Sequence, residues 1–107
     1  MINLLKFNKK YYQPIITGAK TQTIRKNNKR LDVGETVKAI FPGTTKECYL
    51  QITKAGYKQF KYLNNNDAKL EGYNSLDELI TDLKKIYPLL DNLDRVWYYQ
   101  FTLTNEE

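Results

Sequence analysis

The chain has 107 residues, of which 41% are apolar, and it contains one cysteine and no histidine. This length and apolar content predict a single domain over residues 1–107 with one modest hydrophobic core. The lack of histidine excludes His-containing catalytic triads and imidazole zinc sites, and a single cysteine excludes an intrachain disulfide. We expect no metal and no cofactor.

Positive charge is concentrated in the first part of the chain. Residues 1–62 carry 13 Lys and Arg against 3 Asp and Glu, a net charge of +10, whereas residues 63–107 carry 4 against 9, a net charge of −5. The basic part is also rich in tyrosine and phenylalanine, and rings beside cations are typical of proteins that stack bases and hold phosphates. The composition favours a nucleic acid, nucleotide or nucleoside as partner; the alternative is a lysine-rich soluble surface over an aromatic core.

The first elements in chain order are a strand over residues 2–7 and a short helix over residues 10–17. Asn8 is a candidate cap for this helix. Pro14 lacks an amide hydrogen, so the helix is short or kinked. Gly18 is the residue type that adopts the left-handed backbone at a helix C-terminus.

The stretch over residues 18–25 contains most of the candidate functional residues. Thr21, Thr23 and Arg25 are spaced by two, so on a regular strand they share one face. In one interpretation the threonines follow β-propensity, and Lys20 and Arg25 are solvated charges. In the other, a threonine hydroxyl and the lysine amine act together, as nucleophile and base or as anion anchors. The stretch alone leaves both interpretations open.

A group of antiparallel strands is predicted in the middle of the chain. Residues 36–41 and residues 47–55 alternate in polarity and are joined by a short turn, which predicts a hairpin. Gly56 indicates a bulge, after which residues 57–63 form a further strand. Cys48 lies within the alternating pattern, which indicates a small buried side chain and not a nucleophile.

The clearest helix of the sequence follows a capping signal. Residues 67–71 are predicted to form one helical turn ended by Gly72, and Ser75 with Glu78 fits a reciprocal capping box at the start of the next helix. Pro88 prevents that helix from continuing. Apolar residues recur at three- and four-residue spacing and predict one stripe that faces the sheet, formed by Leu76, Leu79, Ile80, Leu83 and Ile86.

The last predicted strand covers residues 95–103, with Trp97, Tyr99, Phe101 and Leu103 on one face. Several short antiparallel strands lose their exposed edges most readily by closing into a small barrel. The expected fold is therefore α+β: a small β-barrel of mostly antiparallel strands, with a short N-terminal helix and one longer helix packed against the barrel.

Four segments resemble one known family. Residues 18–25, GAKTQTIR, resemble the G-x-K-T-x-T-x-R signature of the ASCH domains, which are PUA-like β-barrels. Residues 31–37 resemble the turn of that family into its next strand, residues 71–78 its E-G-[FY]-x-S-x-x-E segment, and residues 98–101 its closing strand. Four motifs in the right order are much more specific than any one of them. The resemblance implies one ASCH domain with a PUA-like fold.

The compact bacterial members of the family are similar to N(4)-acetylcytidine amidohydrolases, in which a lysine, a threonine and a glutamate form the catalytic set. The resemblance implies that Lys20, Thr23 and Glu71 are catalytic here and that Thr21 and Arg25 bind substrate. Thr23 would attack the acetamide carbonyl, Lys20 would accept its proton, and Glu71 would handle the proton that leaves with the amine. Because Lys20 and Thr23 differ by three positions, they converge only if Lys20 lies before the strand proper.

An RNA-binding module that uses the same basic cleft without catalysis is the alternative, since PUA-like domains commonly bind RNA. Lys20 and Arg25 would then anchor phosphate, and Thr23 would donate a hydrogen bond. We favour the hydrolase because all three catalytic positions match, and we rank a ribonuclease last because the sequence offers no histidine or metal cluster. We assign Tyr73 and Trp97 to core packing in preference to base stacking.

The expected partner is thus a modified nucleoside or a single-stranded RNA. The apolar run at residues 1–5 is too short for a signal peptide, and no segment approaches the length of a membrane span. We expect a cytoplasmic monomer that does not engage a membrane.

Overall fold

The computed structural model describes residues 2–104 of the chain, and this part contains five strands and three α-helices. It also contains two 3₁₀ helices. The first, Lys9–Tyr11, precedes the first α-helix, and the second, Phe60–Tyr62, follows the fourth strand. In chain order the elements are β1 (Asn3–Lys6), α1 (Tyr12–Thr17), β2 (Gln22–Arg25), β3 (Thr36–Ile40), β4 (Glu47–Gln59), α2 (Asn65–Leu70), α3 (Leu76–Ile86) and β5 (Arg95–Thr104).

The five strands form one mixed sheet in the order β1-β3-β4-β5-β2. The β1 and β3 strands are parallel, and the other three pairs are antiparallel. The sheet curves into a half-barrel, so the expected α+β, PUA-like architecture is confirmed. The edge strands β1 and β2 approach each other where Arg25 Nη2 donates to the carbonyl oxygen of Lys6 at 2.9 Å.

Buried apolar residues form two clusters instead of the one core that the composition predicts. The sheet cluster lies on the side of α1 and contains Leu5, Phe7, Ile15, Leu31, Val37, Ala39, Phe41, Leu50, Ile52, Tyr99 and Phe101. The helix cluster packs α2 and α3 against β2 and β5 and contains Ile24, Phe60, Leu63, Ala68, Leu79, Leu83, Leu90 and Val96. Alternate residues of β5 enter different clusters, because successive side chains of a strand point to opposite faces.

Local backbone signals in the sequence are mostly confirmed. Gly18 ends α1 with a φ of 85°, and Asn8 caps the first 3₁₀ helix by accepting a hydrogen bond from the Lys10 amide. Ser75 caps α3 by accepting from the Glu78 amide, but Glu78 Oε1 accepts from the Asn74 amide, so the expected reciprocal capping box is only half formed.

Gly56 does not form the predicted bulge. The register of β4 against β5 shifts between Ile52 and Lys54, and Gly56 pairs regularly with Tyr98. A Cβ atom on Gly56 would lie 2.5 Å from the Tyr98 hydroxyl, so glycine is needed there for the close approach of this ring. The strand continues to Gln59, and the strand predicted over residues 57–63 is replaced by the end of β4 and the second 3₁₀ helix.

Some predicted core positions are more exposed than the strand and helix periodicity indicates. Ile86 and Leu103 are 56% and 49% exposed, because they lie at the ends of α3 and β5, beyond the opposing layer. Trp97 is half-buried against the sheet cluster. Cys48 is half-buried there too, and this partial burial raises the pKa of its thiol, which disfavours a nucleophilic thiolate.

None of the helices within residues 2–104 has the length and apolar character needed to cross a membrane.

Candidate active site

A cleft of about 720 Å³ opens between the first 3₁₀ helix, β2 and α3. Its polar floor is formed by Lys20, Thr23, Arg25 and Glu71. One wall is apolar and comes from α3, with Leu79, Leu83 and Ile86. This volume is within the range of roughly 300–1,000 Å³ that is typical of small-molecule sites.

Backbone contacts position Lys20 at the bend before β2. The Lys20 amide donates to the Pro14 carbonyl at 2.9 Å, and the Thr21 amide donates to the Leu70 carbonyl at 2.8 Å. These two bonds join the start of β2 to α1 and to the end of α2. Lys20 therefore lies before the strand proper, which is the placement that convergence with Thr23 requires.

Gly72 allows the end of α2 to approach this bend. Its φ is +90°, and a Cβ atom built on it would lie 3.4 Å from the Ala19 carbonyl oxygen and 3.5 Å from Cβ of Lys20. The residue before it, Glu71, caps the C-terminus of α2. The G-A-K bend and the E-G turn, 51 residues apart in sequence, are thus packed against each other.

Lys20 and Glu71 form a buried pair on the floor of the cleft. Lys20 Nζ donates to Glu71 Oε1 at 3.0 Å, and the two residues are only 3% and 5% exposed. Burial raises the pKa of Glu71, while the charge and hydrogen bond of Lys20, together with the nearby Gln22 amide, oppose the shift. Within residues 2–104, Glu71 Oε2 is buried and accepts no hydrogen bond of normal geometry. A buried acceptor without a partner is costly, so this oxygen is suited to a ligand N–H or O–H.

Thr23 and Arg25 share one face of β2, as their spacing predicts. Arg25 Nε donates to Thr23 Oγ1 at 2.9 Å, which leaves the hydroxyl hydrogen of Thr23 available for donation. The guanidinium also lies 4.9 Å from the centre of the Phe7 ring, and burial lowers the pKa of Arg25. A cationic donor on Oγ1 stabilises negative charge on that oxygen, which is what a nucleophilic hydroxyl needs.

Thr21 does not line the cleft. It lies before β2, with its amide bonded to Leu70 and its carbonyl accepting from the Phe101 amide at 3.0 Å. The substrate contact predicted for Thr21 therefore finds no geometric support. The other four predicted residues, Lys20, Thr23, Arg25 and Glu71, all line the same cleft.

Sequence reasoning missed a chain of hydrogen bonds along the wall of the cleft. The hydroxyls of Tyr11 and Tyr73 are 2.8 Å apart, and the Tyr73 hydroxyl donates to Asp82 Oδ2 at 2.5 Å. Lys10 Nζ binds the same carboxylate oxygen at 3.2 Å. The ring of Tyr11 covers the amine of Lys20, with 4.8 Å between Nζ and the ring centre.

This chain involves residues from three separate parts of the sequence, so no local spacing indicates it. Tyr73 lies within the E-G-Y segment, and its ring packs against the helix cluster, as its assignment to the core predicts. That assignment does not account for its hydroxyl. Burial and the bond to Asp82 raise the pKa of Tyr73, and the Tyr73 hydroxyl lowers the pKa of Asp82. The tyrosine is therefore a permanent donor that holds the wall in place.

A second buried polar group lies outside the lining of the cleft. Asp67 Oδ1 accepts from the Gln22 amide at 3.2 Å, and its Oδ2 accepts from Lys58 Nζ at 2.9 Å and from the Asn64 amide at 3.1 Å. Gln22 in turn accepts from Gln100 at 3.1 Å. In this group every carboxylate oxygen has a partner.

The described residues contain no group of three or more His, Cys, Asp or Glu side chains placed to hold a metal ion. The groups that the cleft offers to a substrate are an amine, a carboxyl, a hydroxyl and a guanidinium. This set is suited to nucleophilic and acid–base chemistry on an acyl group, or to binding of an anion.

No family model and no curated protein sequence matches the chain. Solved structures do match. An ASCH domain from Lactobacillus crispatus JV V101 superposes with a TM-score of 0.77 at 15% identity, over 95% of this chain and 79% of that one. A protein from Enterococcus faecalis V583, described under the family model DUF984, superposes with a TM-score of 0.74 at 15% identity. The match covers 97% of this chain and 77% of that one. An ASCH protein from Zymomonas mobilis superposes with a TM-score of 0.68 at 9% identity, over 95% of this chain and 73% of that one.

These structural similarities identify the fold class of the chain, which is an α+β protein with a PUA-like half-barrel. Within that class, the chain has the fold of the ASCH domains, so the resemblance seen in the four sequence motifs is confirmed at the level of the fold.

Proposed function

We propose that the chain is an ASCH-family amidohydrolase that deacetylates N(4)-acetylcytidine or a related acylated nucleoside. The observation that carries the proposal is the buried Lys20–Glu71 pair, which lines the same cleft as Thr23 and in which Glu71 Oε2 accepts no hydrogen bond of normal geometry within residues 2–104. The resemblance of residues 18–25 and 71–78 to the family motifs supports the catalytic roles that we propose for Lys20, Thr23 and Glu71.

The protonation states of Lys20 and Glu71 determine which group can act as the base at the start of the reaction. A buried lysine and carboxyl at 3.0 Å share one transferable proton. The proposed reaction starts from the form of the pair in which that proton lies on Glu71 and the amine of Lys20 acts as the base. A neutral pair also avoids the cost of holding two charges in a buried site.

In the first half-reaction, Thr23 Oγ1 attacks the acetyl carbon and its proton passes to Lys20 Nζ. The bond between the acetyl carbon and the exocyclic nitrogen then breaks, and that nitrogen takes the proton of Glu71. Cytidine leaves, the acetyl group is an ester of Thr23, and the pair is left as an ammonium and a carboxylate. Arg25, bonded to Oγ1, stabilises the alkoxide character of the attacking oxygen.

In the second half-reaction, the Glu71 carboxylate takes a proton from water while the water oxygen attacks the ester carbon. Acetic acid is released, and Thr23 Oγ1 recovers its proton from Lys20. The amine and the protonated carboxyl are regenerated, so every proton is accounted for. Lys20 Nζ and Thr23 Oγ1 form no hydrogen bond in the described structure, and such contacts commonly tighten only when substrate is bound.

The N–H of an acylated exocyclic amine complements the unpartnered Oε2 of Glu71. A substrate that supplies this donor satisfies the buried oxygen and aligns the scissile amide beside Thr23. An ester lacking the N–H leaves that oxygen unsatisfied, which favours amides over esters in this site.

The test is incubation of the protein with N(4)-acetylcytidine, followed by chromatographic measurement of cytidine and acetate. Lys20→Met, Thr23→Val and Glu71→Gln are each expected to reduce turnover by a factor of about 100 or more, because each removes a group that transfers a proton or forms the covalent bond. Far-UV circular dichroism shows which variants fold.

Thr21→Val is the matched control for Thr23→Val, since it removes the same hydroxyl two residues away, outside the cleft lining. Its turnover is expected to stay within about twofold of the wild type. Absence of cytidine from folded wild-type protein would overturn the proposal for this substrate.

An RNA-binding module without turnover is the second candidate, and the net charge of +10 over residues 1–62 favours it. Lys20 and Arg25 would then act as phosphate anchors. This function predicts an affinity for single-stranded RNA that falls steeply with salt, together with no product from acylated nucleosides. A neutral nucleoside substrate predicts little dependence on salt.

A further inference from the structure

Three exposed lysines lie at the rim of the cleft and form no salt bridge within the described residues. Lys6, Lys9 and Lys85 line the cleft and are exposed, and none forms an ion pair within residues 2–104. They come from β1, from the first 3₁₀ helix and from the last turn of α3. Tertiary structure therefore brings the three charges to one opening.

The acidic groups of the cleft are already engaged. Its lining contains two carboxylates, Glu71 and Asp82, and each is bonded to its own lysine, Lys20 at 3.0 Å and Lys10 at 3.2 Å. The lining holds six cationic side chains against these two carboxylates, so it carries an excess of positive charge even though Lys85 and Arg25 also feel the fields of Asp82 and Glu71. Concave sites lined by one sign of charge concentrate ligands of the opposite sign.

The chemistry proposed for the floor uses none of these three lysines. A neutral nucleoside would contact Lys20, Thr23, Arg25 and Glu71 and would leave the rim without a function. A phosphate attached to the sugar would extend from the base toward solvent, in the direction of the rim. The cleft of about 720 Å³ is large enough for a nucleotide.

We propose that the ligand of this cleft is phosphorylated: Lys6, Lys9 and Lys85 bind a phosphate of a nucleotide whose base lies against Lys20 and Glu71. The inference rests on the proposed function for the identity of the base, and it adds the charged part of the substrate. The phosphate belongs either to a mononucleotide or to the backbone of a short RNA strand, and both present the same anion to the rim.

The test measures binding, so that it is independent of turnover. Cytidine, cytidine 5′-monophosphate and the trinucleotide CpCpC are titrated into the protein by calorimetry at about 50 mM salt. The monophosphate is expected to bind about tenfold more tightly than cytidine, since three partly exposed charge contacts each contribute a modest attraction. Raising the salt should reduce this ratio.

The triple variant Lys6→Gln, Lys9→Gln, Lys85→Gln is expected to bring the ratio of the two affinities close to one. The matched control, Lys54→Gln, Lys61→Gln, Lys69→Gln, removes the same net charge from exposed lysines outside the cleft lining and should keep the ratio. A trinucleotide that gains further rim-dependent affinity over the monophosphate identifies a strand as the source of the phosphate. A trinucleotide without that gain identifies a mononucleotide.

Equal binding of cytidine and its monophosphate would overturn the inference, as would an equal loss in the rim and control variants or no binding of the monophosphate. A different result would show that only the proposed deacetylation is wrong. In that case the protein would still prefer the monophosphate through the rim lysines, but it would hydrolyse no acylated cytidine. The two proposals therefore fail separately.

Discussion

Two buried carboxylates, one in the first turn of the short helix α2 and one at its C-cap, lie four residues apart and have different surroundings. Asp67, near the start of the helix, is surrounded by donors from Gln22, Lys58 and Asn64. Glu71, at its end, accepts a hydrogen bond from Lys20 on Oε1, and its Oε2 accepts none of normal geometry in the described structure. Only Glu71 lines the cleft.

The contrast distinguishes a carboxylate with a structural role from one that meets the requirements of the proposed function. A fully bonded carboxylate has no free acceptor for a substrate, and it stabilises the helix start by a capping box with Asn64. A carboxylate with an open acceptor and a raised pKa can exchange a proton and contact a ligand. The number of hydrogen-bond donors around each carboxylate therefore distinguishes the structural role of Asp67 from the role that we propose for Glu71.

Asp67→Ala should produce the largest loss of stability among the variants that test this contrast. It removes the capping box and leaves the Lys58 ammonium and the Gln22 amide without their acceptor. Losing the capping box, the Gln22 bond and the partly buried pair with Lys58 together is expected to lower the free energy of unfolding by about 3 kcal/mol, measured by urea denaturation at pH 7.

Asp77→Ala is the control for that measurement, because Asp77 is exposed in the first turn of α3 and contributes mainly to the helix dipole. A loss of about 0.5 kcal/mol is expected for it. If Asp67→Ala proved no more destabilising than Asp77→Ala, the structural role of Asp67 would be wrong.

Glu71→Gln should change the pH dependence of stability. The folded-state pKa of Glu71 is raised above its ordinary value of 4.5, so its contribution to stability is fully present below that value and is lost as pH rises through the folded-state pKa. Glutamine does not titrate, so the free energy of unfolding of the variant minus that of the wild type should increase with pH above about 4.5. Urea denaturation between pH 4 and pH 8 measures this difference, and a decrease would contradict the buried environment assigned to Glu71.

Tyr73→Phe tests the wall that holds Tyr11 over Lys20. It removes the hydrogen bond to Asp82, and at pH 7 the free energy of unfolding is expected to fall by about 1 kcal/mol. The bond to Tyr73 lowers the pKa of Asp82, so this stabilisation is present above the ordinary value of 3.8 and is lost as pH falls through the lower folded-state value.

The difference between wild type and Tyr73→Phe should therefore shrink in acid, which denaturation at pH 7 and pH 2.5 can compare. A difference that stays the same at both pH values would show that the tyrosine contributes only by packing.

Thr21→Val is expected to have the smallest effect. In the described structure the Thr21 side chain forms no hydrogen bond, and its backbone contacts do not depend on the side chain. The free energy of unfolding should change by no more than about 0.5 kcal/mol, measured by urea denaturation. A large loss of stability would mean that the hydroxyl has a role that its position outside the cleft does not reveal.

Most of the local structure could be predicted from the sequence because its causes are local. Gly18 ends α1 through its positive φ, Ser75 caps α3, and the alternation over residues 36–55 produces the hairpin of β3 and β4. The spacing of Thr23 and Arg25 correctly predicted that they share a face, since strand geometry alone determines it.

Features that depend on distant neighbours could not be predicted in this way. Gly56 was interpreted as a bulge, but it is small because Tyr98 of the opposite strand lies against it. Ile86 follows the periodicity of a core residue but lies at the end of α3, where it lines the cleft. In both cases the deciding contact comes from another element, which spacing within one element does not encode.

By itself, the sequence determined the fold class and the residues of the catalytic hypothesis, because turns, helix caps and motifs each depend on residues that are close together in the chain. Only the tertiary structure decided that Glu71 has an open acceptor while Asp67 has none, that Thr21 lies outside the cleft, and that Tyr11, Tyr73 and Asp82 form one wall. The physical reason is that burial and hydrogen-bond partners are properties of the packed surroundings, which bring together residues as far apart in sequence as Gln22 and Gln100, 78 positions from each other.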